Sequence, residues 1–186
     1  MMRRALLAVV ALASCSAVDP VARAHCTLHD VDGRTIDVTA CANESAALVL
    51  FAGIDCPIAR AYSPEIAAIA NDYARCIAVR VVMVDVDLDA ARAREHAREF
   101  GLPGPILLDP EHRMVRALGA TITPEAFLVD HTGRLVYAGR IDDRFADLGK
   151  PRRAPRTREL RDAIESVIAG RKVVVARTQA VGCLIE

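Results

Sequence analysis

The sequence predicts a single α/β domain in which helices flank a mixed central sheet, with a leading β-hairpin and an extended carboxyl-terminal tail. The chain has 186 residues, a length that suits one domain. Hydrophobic residues make up 53% of it, but aromatics make up only 4% and Trp is absent, so aliphatic side chains must form the core. Runs of apolar, β-branched residues alternate along the chain with segments in which apolar residues recur at helical spacing. This alternation is typical of α/β folds.

The charge balance excludes some classes of partner. The chain has 24 Lys and Arg residues and 24 Asp and Glu residues, so its formal net charge at pH 7 is zero. No long-range field would attract a polyanion. We therefore expect no nucleic-acid partner, and contact with a membrane only through a lipid anchor.

The amino-terminal residues predict export. Residues 1–4 include two arginines, and residues 5–13 form an apolar stretch that is shorter than the roughly 20 residues needed to span a bilayer. We therefore expect residues 1–24 to be a signal peptide and residues 25–186 to be the folded domain.

Two processing routes are open for this signal. The sequence Leu-Ala-Ser-Cys at residues 12–15 resembles a bacterial lipobox, which makes Cys15 a candidate for lipidation. Alternatively, Ala22-Arg23-Ala24 fits a signal-peptidase cut before His25. The mature protein would be a membrane-anchored lipoprotein in the first case and a soluble periplasmic protein in the second.

The first elements after the signal are a small hairpin and a buried strand. Residues 26–38 alternate in polarity on both sides of Asp32-Gly33, a dipeptide that favours a tight turn. Residues 46–52 are continuously apolar, which is typical of a strand covered on both faces. We place the first central strand there.

A βαβα order follows from the next segments. Apolar residues keep helical spacing over residues 63–76, with Pro64 placed to begin or kink that helix. Residues 77–86 are β-branched and apolar, which predicts a second buried strand. An Ala-, Arg- and Glu-rich helix is predicted over residues 87–100, ending at Gly101.

The second half of the domain contains a short strand, a helix and a hairpin. We predict a strand at residues 106–109 and a helix at residues 110–118, with Pro at its first position and Gly119 after its end. Residues 125–130 and 134–139 are apolar runs separated by His-Thr-Gly, which predicts a hairpin.

The chain closes with a helix and a tail. A basic loop over residues 144–156 begins after Asp142 and Asp143, which we assign to a solvated turn or a helix cap. Apolar residues at helical spacing predict a final helix over residues 158–169, with Thr157 as its N-cap. Residues 173–186 form the extended tail.

Cys56 has the strongest functional signal in the sequence. It follows the predicted strand at residues 46–52 and stands, with Pro57, at or just ahead of a helix. Unpaired backbone N–H groups and the positive end of the helix dipole favour a thiolate there, so Cys56 is a candidate nucleophile. Arg60 lies one turn further on and can add positive charge.

This region resembles the active site of the thioredoxin superfamily. The apolar strand, Cys56 and Pro64 match the strand, the first cysteine and the helix-kinking proline, and Thr123-Pro124 resembles the cis-proline loop that faces the cysteine. Four motifs together are similar to a bacterial redoxin-domain family related to alkyl hydroperoxide reductases and thiol-specific antioxidants. They are Cys-Pro-Ile-Ala-Arg from 56, Thr-Pro-Glu-Ala-Phe-Leu-Val-Asp from 123, Gly-Arg-Ile-Asp-Asp from 139 and Ala-Val-Gly-Cys-Leu-Ile from 180.

Three departures from the superfamily pattern reduce the number of reactions that we expect of Cys56. Ala59 stands where a dithiol oxidoreductase has its second cysteine, so no CxxC disulfide can form. Gly53 stands where a typical peroxiredoxin has Thr or Ser, which disfavours efficient peroxide reduction. Arg60 stands where a related copper chaperone has Cys, which disfavours metal delivery by that route.

The resemblance implies a thiol oxidoreductase without a bound cofactor or metal. Cys56 would attack a disulfide or hydroperoxide of a protein or small molecule, and an external reductant, which the sequence does not identify, would restore the thiol. Pro57, Arg60, Thr123 and Pro124 would line the substrate groove.

Cys183 is our candidate for the redox or ligand partner of Cys56. Ala59 removes the local thiol, and the tail is long enough to return to the active-site face. The competing interpretation is that Cys183 packs or stays free. Export removes Cys15 from the mature thiols and leaves five, among which Cys26 and Cys41 could form a structural disulfide.

A different class of function also fits these cysteines. A non-catalytic module of the same fold could hold Cu(I) through Cys56 and Cys183, since two thiolates suit that soft ion. A purely structural domain of an exported assembly is a third interpretation.

Overall fold

The computed structural model describes residues 26–186 and shows a mixed seven-stranded sheet with helices packed against it. The strands are β1 Thr27–Asp30, β2 Thr35–Asp37, β3 Ala46–Ala52, β4 Ile77–Met83, β5 Ile106–Leu108, β6 Ile122–Thr123, β7 Glu125–Asp130, β8 Leu135–Gly139 and β9 Cys183–Leu184. The helices are α1 Pro57–Asp72, α2 Ala90–Phe100, α3 Arg113–Leu118 and α4 Glu159–Ile168. Over these described residues, no helix combines the length and the apolar character that crossing a membrane requires.

Strand β3 lies inside the sheet, whose order is β2-β1-β5-β4-β3-β7-β8. It runs parallel to β4 and antiparallel to β7, and every one of its residues is buried. Leu48 and Leu50 face the core that includes α1 and α4, while Val49 and Phe51 face the core that includes α3. The continuous apolar run in the sequence therefore reflects a strand covered on both faces.

Side-chain caps set the starts of two helices, and one of these starts differs from the prediction. The first helix begins at Pro57 because Cys56 is its N-cap, and Pro64 lies inside it. The short helix α3 begins at Arg113, later than predicted. The Asp109 carboxylate accepts the backbone N–H groups of residues 113, 114 and 115, and His112 adopts a left-handed conformation, so Pro110 is left in the preceding turn.

The N-cap of the last helix also differs from the prediction. Helix α4 begins at Glu159 with Arg158 as its cap residue and no capping side chain. Thr157 instead donates its hydroxyl to the Glu159 carboxylate, 2.8 Å away. The hydroxyl is used by a side-chain acceptor, so it does not cap the helix backbone.

The tail after α4 is anchored twice. It first runs beside β8, where the backbone N–H of Thr178 donates to the Ala138 carbonyl at 3.0 Å. Gly139 permits this approach, since a Cβ at that position would lie 2.2 Å from the Thr178 carbonyl oxygen. The tail then ends as β9, which pairs antiparallel with β6. A segment predicted only to be extended thus contributes a strand next to the candidate site.

Candidate active site

Cys56 occupies the junction of β3 and α1. It is the N-cap of α1, and its sulfur accepts a hydrogen bond from the backbone N–H of Ala59 at 3.4 Å. Pro57 at the first helical position has no N–H to leave unsatisfied. The Cys56 side chain is 3% exposed, so the sulfur lies at the bottom of the site.

The loop at Thr123 and Pro124 faces this sulfur. The Thr123–Pro124 peptide bond is cis, which confirms the sequence prediction. In its protonated form the Cys56 thiol donates to the Thr123 carbonyl oxygen, 2.9 Å away. The two segments predicted to meet at the site therefore do meet.

Cys183 reaches the same place through strand pairing. Thr123 and Cys183 are register partners in the β6–β9 ladder, and the thiols of Cys56 and Cys183 lie close enough to shift each other's pKa. Gly182 makes the approach possible, because a Cβ there would lie 2.0 Å from the Thr123 carbonyl oxygen. The structure thus brings together the two thiols that the sequence analysis paired.

The two thiols differ in acidity. Burial acts to raise the pKa of Cys56, but hydrogen bonds from the Cys183 thiol, the Ala59 N–H and the Thr123 side chain outweigh it and lower the pKa below its ordinary value. Burial, the hydrogen bond to Cys56 and repulsion by the Cys56 thiolate raise the pKa of Cys183 to about 11. Cys56 therefore ionises first, and Cys183 retains its proton.

The hydrogen bond from Cys183 gives a testable expectation for acidity. Replacing Cys183 with alanine removes a donor to the Cys56 thiolate, so the pKa of Cys56 should rise relative to the wild type. Replacing it with serine keeps a hydroxyl donor and should raise the pKa less. The measurement is the pH dependence of Cys56 alkylation by iodoacetamide, followed by peptide mass spectrometry. Identical profiles for the two variants would show that the hydrogen bond does not set the pKa.

A cleft of about 470 Å³ opens over the two thiols. It is lined by residues 53–56, 84–88, Arg92, Thr123 and 183–186. Thus Cys56, Thr123 and Cys183 all border it. Pro57, Arg60 and Pro124, which we predicted to line the groove, do not, which corrects that part of the prediction.

Arg60 does not border the cleft, because neighbouring groups hold its guanidinium. Its guanidinium donates twice to the Ile54 carbonyl, forms an ion pair with Asp55 at 3.1 Å and lies 5.5 Å from the centre of the Phe100 ring. These contacts hold the loop between β3 and α1 in shape. Pro57 is exposed on the first turn of α1, and Pro124 is buried.

Asp85 is a residue of the site that the sequence analysis missed. Its carboxylate accepts the Ile54 backbone N–H at 2.9 Å and lies near Gly53. It therefore fixes the loop that precedes Cys56 and borders the cleft. The sequence did contain a signal for this role, namely that Asp85 follows the apolar run of β4. Because β3 and β4 are parallel, the ends of both strands lie at the same edge of the sheet, and Asp85 comes close to Cys56.

Asp142 and Asp143 are buried, which corrects their assignment to a solvated turn. The hydroxyl of Tyr62 on α1 donates to the Asp142 carboxylate at 2.6 Å, and Arg144 forms an ion pair with it at 3.3 Å. Burial and this bond to Asp142 raise the pKa of Tyr62. Asp143 accepts backbone N–H groups from residues 156 and 157. The acidic pair thus secures the basic loop against α1.

The remaining cysteines are separate free thiols. Cys26 and Cys41 are not bonded to each other, so the suggested structural disulfide is absent from the structure. Cys26 lies beside Asp109 and Arg113, whereas Cys41 lies beside Glu44 and Arg80 and donates to the Thr39 carbonyl at 3.9 Å. The turn after β2 thus places Cys41 among different neighbours from Cys26. Cys15 lies outside the described residues.

The fold and site define a class of protein. A cysteine caps the helix that follows a central strand and faces a cis-proline loop, within a thioredoxin-like fold that structural neighbours share. This is the arrangement of a thioredoxin-superfamily protein.

The chain belongs to the Redoxin family, whose profile matches residues 17–150. Thiol-disulfide oxidoreductase YkuV from Bacillus subtilis (strain 168) is 26% identical over 95 residues, which are 50% of this chain and 64% of that protein. The match therefore spans less than two thirds of the relative's length. Together these similarities support a fold of the thiol–disulfide oxidoreductase type.

Two solved structures of bacterial proteins resemble the chain over most of its length. A hypothetical protein from Sinorhizobium meliloti 1021 is 27% identical with a TM-score of 0.73, over 86% of this chain and 89% of the other. An uncharacterized conserved protein from Geobacillus kaustophilus is 25% identical, also with a TM-score of 0.73, over 86% and 87%. These likenesses extend well beyond the residues matched by the family profile.

Proposed function

We propose that this protein is a thiol–disulfide oxidoreductase in which Cys56 is the attacking thiolate and Cys183 the resolving thiol. The observation that carries the proposal is the pair of neighbouring thiols that border one cleft at the end of β3, one with a lowered pKa and the other with a raised pKa. A redox pair needs two sulfurs that can reach each other. Ala59 stands where a CxxC site has its second cysteine, so that position supplies no sulfur here. The tail supplies the second sulfur instead.

The reaction proceeds in two exchange steps. The Cys56 thiolate attacks one sulfur of a substrate disulfide, forming a mixed disulfide and releasing one substrate thiolate. Cys183, once deprotonated, attacks the Cys56 sulfur, forms the Cys56–Cys183 disulfide and releases the second substrate thiolate. The protein loses two electrons, the substrate gains them, and the protein's two thiol protons balance the two substrate thiolates. An external dithiol returns the protein to its reduced form.

The order of the two steps follows from the acidities. At neutral pH the Cys56 sulfur has the larger thiolate fraction, so it attacks first. The mixed disulfide removes the negative charge on Cys56, and with it the repulsion that raised the pKa of Cys183. The resolving thiol thus becomes easier to ionise at the step in which it must attack.

Disulfides are better supported as substrates than hydroperoxides. The alkoxide released from a hydroperoxide, or the hydroxide released from hydrogen peroxide, must be protonated or stabilised by positive charge as the O–O bond breaks. Gly53 provides no hydroxyl at the position where a typical peroxiredoxin has Thr or Ser, and the Arg60 guanidinium is occupied by Ile54 and Asp55. The similarity to an oxidoreductase named for thiols and disulfides points the same way.

The adjacent thiols also favour a second candidate, Cu(I) binding. Two thiolates are suitable ligands for this soft ion. Within residues 26–186 no group of three or more His, Cys, Asp or Glu side chains is placed to hold a metal, so the ion would depend on Cys56 and Cys183 with few further ligands. Reduced protein that retains one equivalent of copper through dialysis and does not react with disulfides would replace the first proposal by this one.

The direct test is to follow the oxidation of the reduced protein by an uncharged small disulfide, bis(2-hydroxyethyl) disulfide. We expect two equivalents of 2-mercaptoethanol per protein, and peptide mapping should identify a Cys56–Cys183 disulfide. Recovery of both cysteines as free thiols after prolonged incubation would refute the proposal. A disulfide between any other pair would assign the resolving role elsewhere.

The proposed setting is an exported domain formed by residues 25–186. A reversible disulfide suits an oxidising compartment such as the periplasm. The basic and apolar residues at positions 1–13 support delivery there, by either the Cys15 or the His25 route.

A further inference from the structure

The backbone edge beside Cys56 is occupied by the protein's own tail. Among the described strands, β6 pairs with β9 alone, with Ile122 opposite Leu184 and Thr123 opposite Cys183. The next residue, Ile185, donates its N–H to the Thr121 carbonyl at 3.0 Å. The polar backbone groups that flank the Cys56 sulfur on this side are therefore already paired.

This matters for substrates that are polypeptides. An extended peptide binds a protein most readily by adding a strand to an open edge, where its main chain forms hydrogen bonds. A peptide disulfide that approached Cys56 in this way would need the edge of β6 that β9 covers. To bind there it would have to displace β9 and break the tail's backbone hydrogen bonds.

The tail is held in place by more than this ladder. Gly182 lies against the Thr123 carbonyl, and Ile185 packs on the core that includes Phe51. Upstream, the Thr178 side-chain oxygen hydrogen-bonds to the Tyr137 hydroxyl at 2.8 Å and accepts the Arg140 N–H at 3.0 Å. Contacts on both sides of β9 therefore oppose its exchange for an incoming strand.

A separate route to the sulfur stays open. The cleft of about 470 Å³ borders both Cys56 and Cys183 and is formed largely by the loops after β3 and β4. Its volume lies within the range of sites that take small organic ligands. A compact disulfide can therefore reach Cys56 without moving β9.

We propose that β9 restricts this protein to low-molecular-weight disulfides and excludes disulfides within extended polypeptides. This inference rests on the proposed function, since it concerns the substrate of the same Cys56 thiolate. The selection operates in the first step, in which the Cys56–S bond to the substrate forms, the substrate S–S bond breaks and one substrate thiolate leaves. It therefore does not depend on resolution by Cys183.

The test compares two disulfides with the same leaving thiol. One is bis(2-hydroxyethyl) disulfide, and the other is a short unstructured peptide whose central cysteine is disulfide-bonded to 2-mercaptoethanol. In the peptide substrate, attack on the peptide sulfur releases 2-mercaptoethanol and leaves the peptide on Cys56. The rate of the first step is therefore read by quenched-flow mass spectrometry from the appearance of the peptide adduct in one case and of the 2-hydroxyethyl adduct in the other. We expect the wild type to react with the small disulfide at least about tenfold faster, the ratio that 1.4 kcal/mol of discrimination gives.

Two variants displace β9 by different means. Gly182→Val places side-chain atoms where the Thr123 carbonyl lies, and Ile185→Pro removes the N–H that bonds to Thr121. Both should reduce the preference for the small disulfide towards unity. Val174→Ala is the matched control in the same tail, because this side chain is 93% exposed and does not border the cleft, so the wild-type preference should persist.

The outcomes separate this inference from the proposed function. Equal rates for the two disulfides in the wild type would overturn the inference and leave the function standing. So would a preference that persists in both displaced variants when hydrogen exchange shows that β9 has left β6. A wild type that reacts with neither disulfide would refute the proposed function and the inference together.

Discussion

Replacing Cys56 with serine is expected to lower the rate of small-disulfide reduction at least about 10³-fold, as loss of a reacting nucleophile does in other enzymes. The serine hydroxyl remains protonated near neutral pH and cannot attack a disulfide sulfur. The substitution changes one atom at a capping position that serine also favours, so α1 should still form. Turnover with an external dithiol as reductant is the measurement.

The matched control for this variant is Cys76→Ser. Cys76 is partly buried beyond the carboxyl end of α1 and does not border the cleft. Its replacement tests whether the loss of any one thiol affects turnover, and we expect the wild-type rate. If Cys56→Ser retains more than a few percent of the activity while Cys76→Ser loses it, the nucleophile is assigned to the wrong cysteine.

Replacing Cys183 with serine should have a different effect, because it blocks the second step and spares the first. We expect the Cys56 mixed disulfide to accumulate to about one equivalent, and steady-state turnover to fall at least about tenfold when the external reductant is dilute. Serine keeps a hydroxyl that can donate to Cys56, so the first step should proceed close to its wild-type rate. Intact-protein mass spectrometry detects the trapped adduct as one substrate half on Cys56.

The control and the contrary result for this variant are equally direct. Cys41→Ser removes a thiol of similar burial that lies away from the cleft, and no adduct should accumulate in it. Normal turnover by Cys183→Ser without a trapped adduct would show that an external thiol resolves the mixed disulfide. Cys183 would then serve only to hydrogen-bond to Cys56.

The two thiols lie on different elements of the fold, and this has a structural consequence. In a CxxC site both sulfurs belong to one helical turn, so their distance is set by local geometry. Here Cys56 belongs to α1 and Cys183 to β9, and backbone pairing with Thr123 holds them together. The proposed disulfide would therefore fasten the tail to the active site, and reduction would leave the tail held by noncovalent contacts alone.

The local elements near the site could be predicted because their signals are contained in short windows. The seven apolar residues of β3 predict a strand covered on both faces, and the cysteine and proline after it predict the start of a helix. The cis bond before Pro124 followed from a motif resemblance, and it is present. Each of these features depends on neighbours along the chain.

Features that depend on distant partners were predicted less well. Asp142 could not be distinguished from a surface acid, since its burial depends on Tyr62, which lies 80 residues earlier in the chain. Arg60 was placed in the groove by its position on the helix, but the Ile54 carbonyl and Asp55 hold its guanidinium elsewhere. Likewise, the environments that separate Cys26 from Cys41 are created by side chains from other elements.

By itself the sequence determined the α/β order, the position of Cys56 at a strand–helix junction and the candidacy of Cys183, because periodicity, capping and cysteine spacing are local properties. Only the tertiary structure decided that β9 pairs with β6 and that this pairing brings the two thiols together at one cleft. Which backbone edge a tail occupies depends on which edge the rest of the fold leaves open. The two paired segments lie some 60 residues apart in the chain, so no local sequence pattern predicts their pairing.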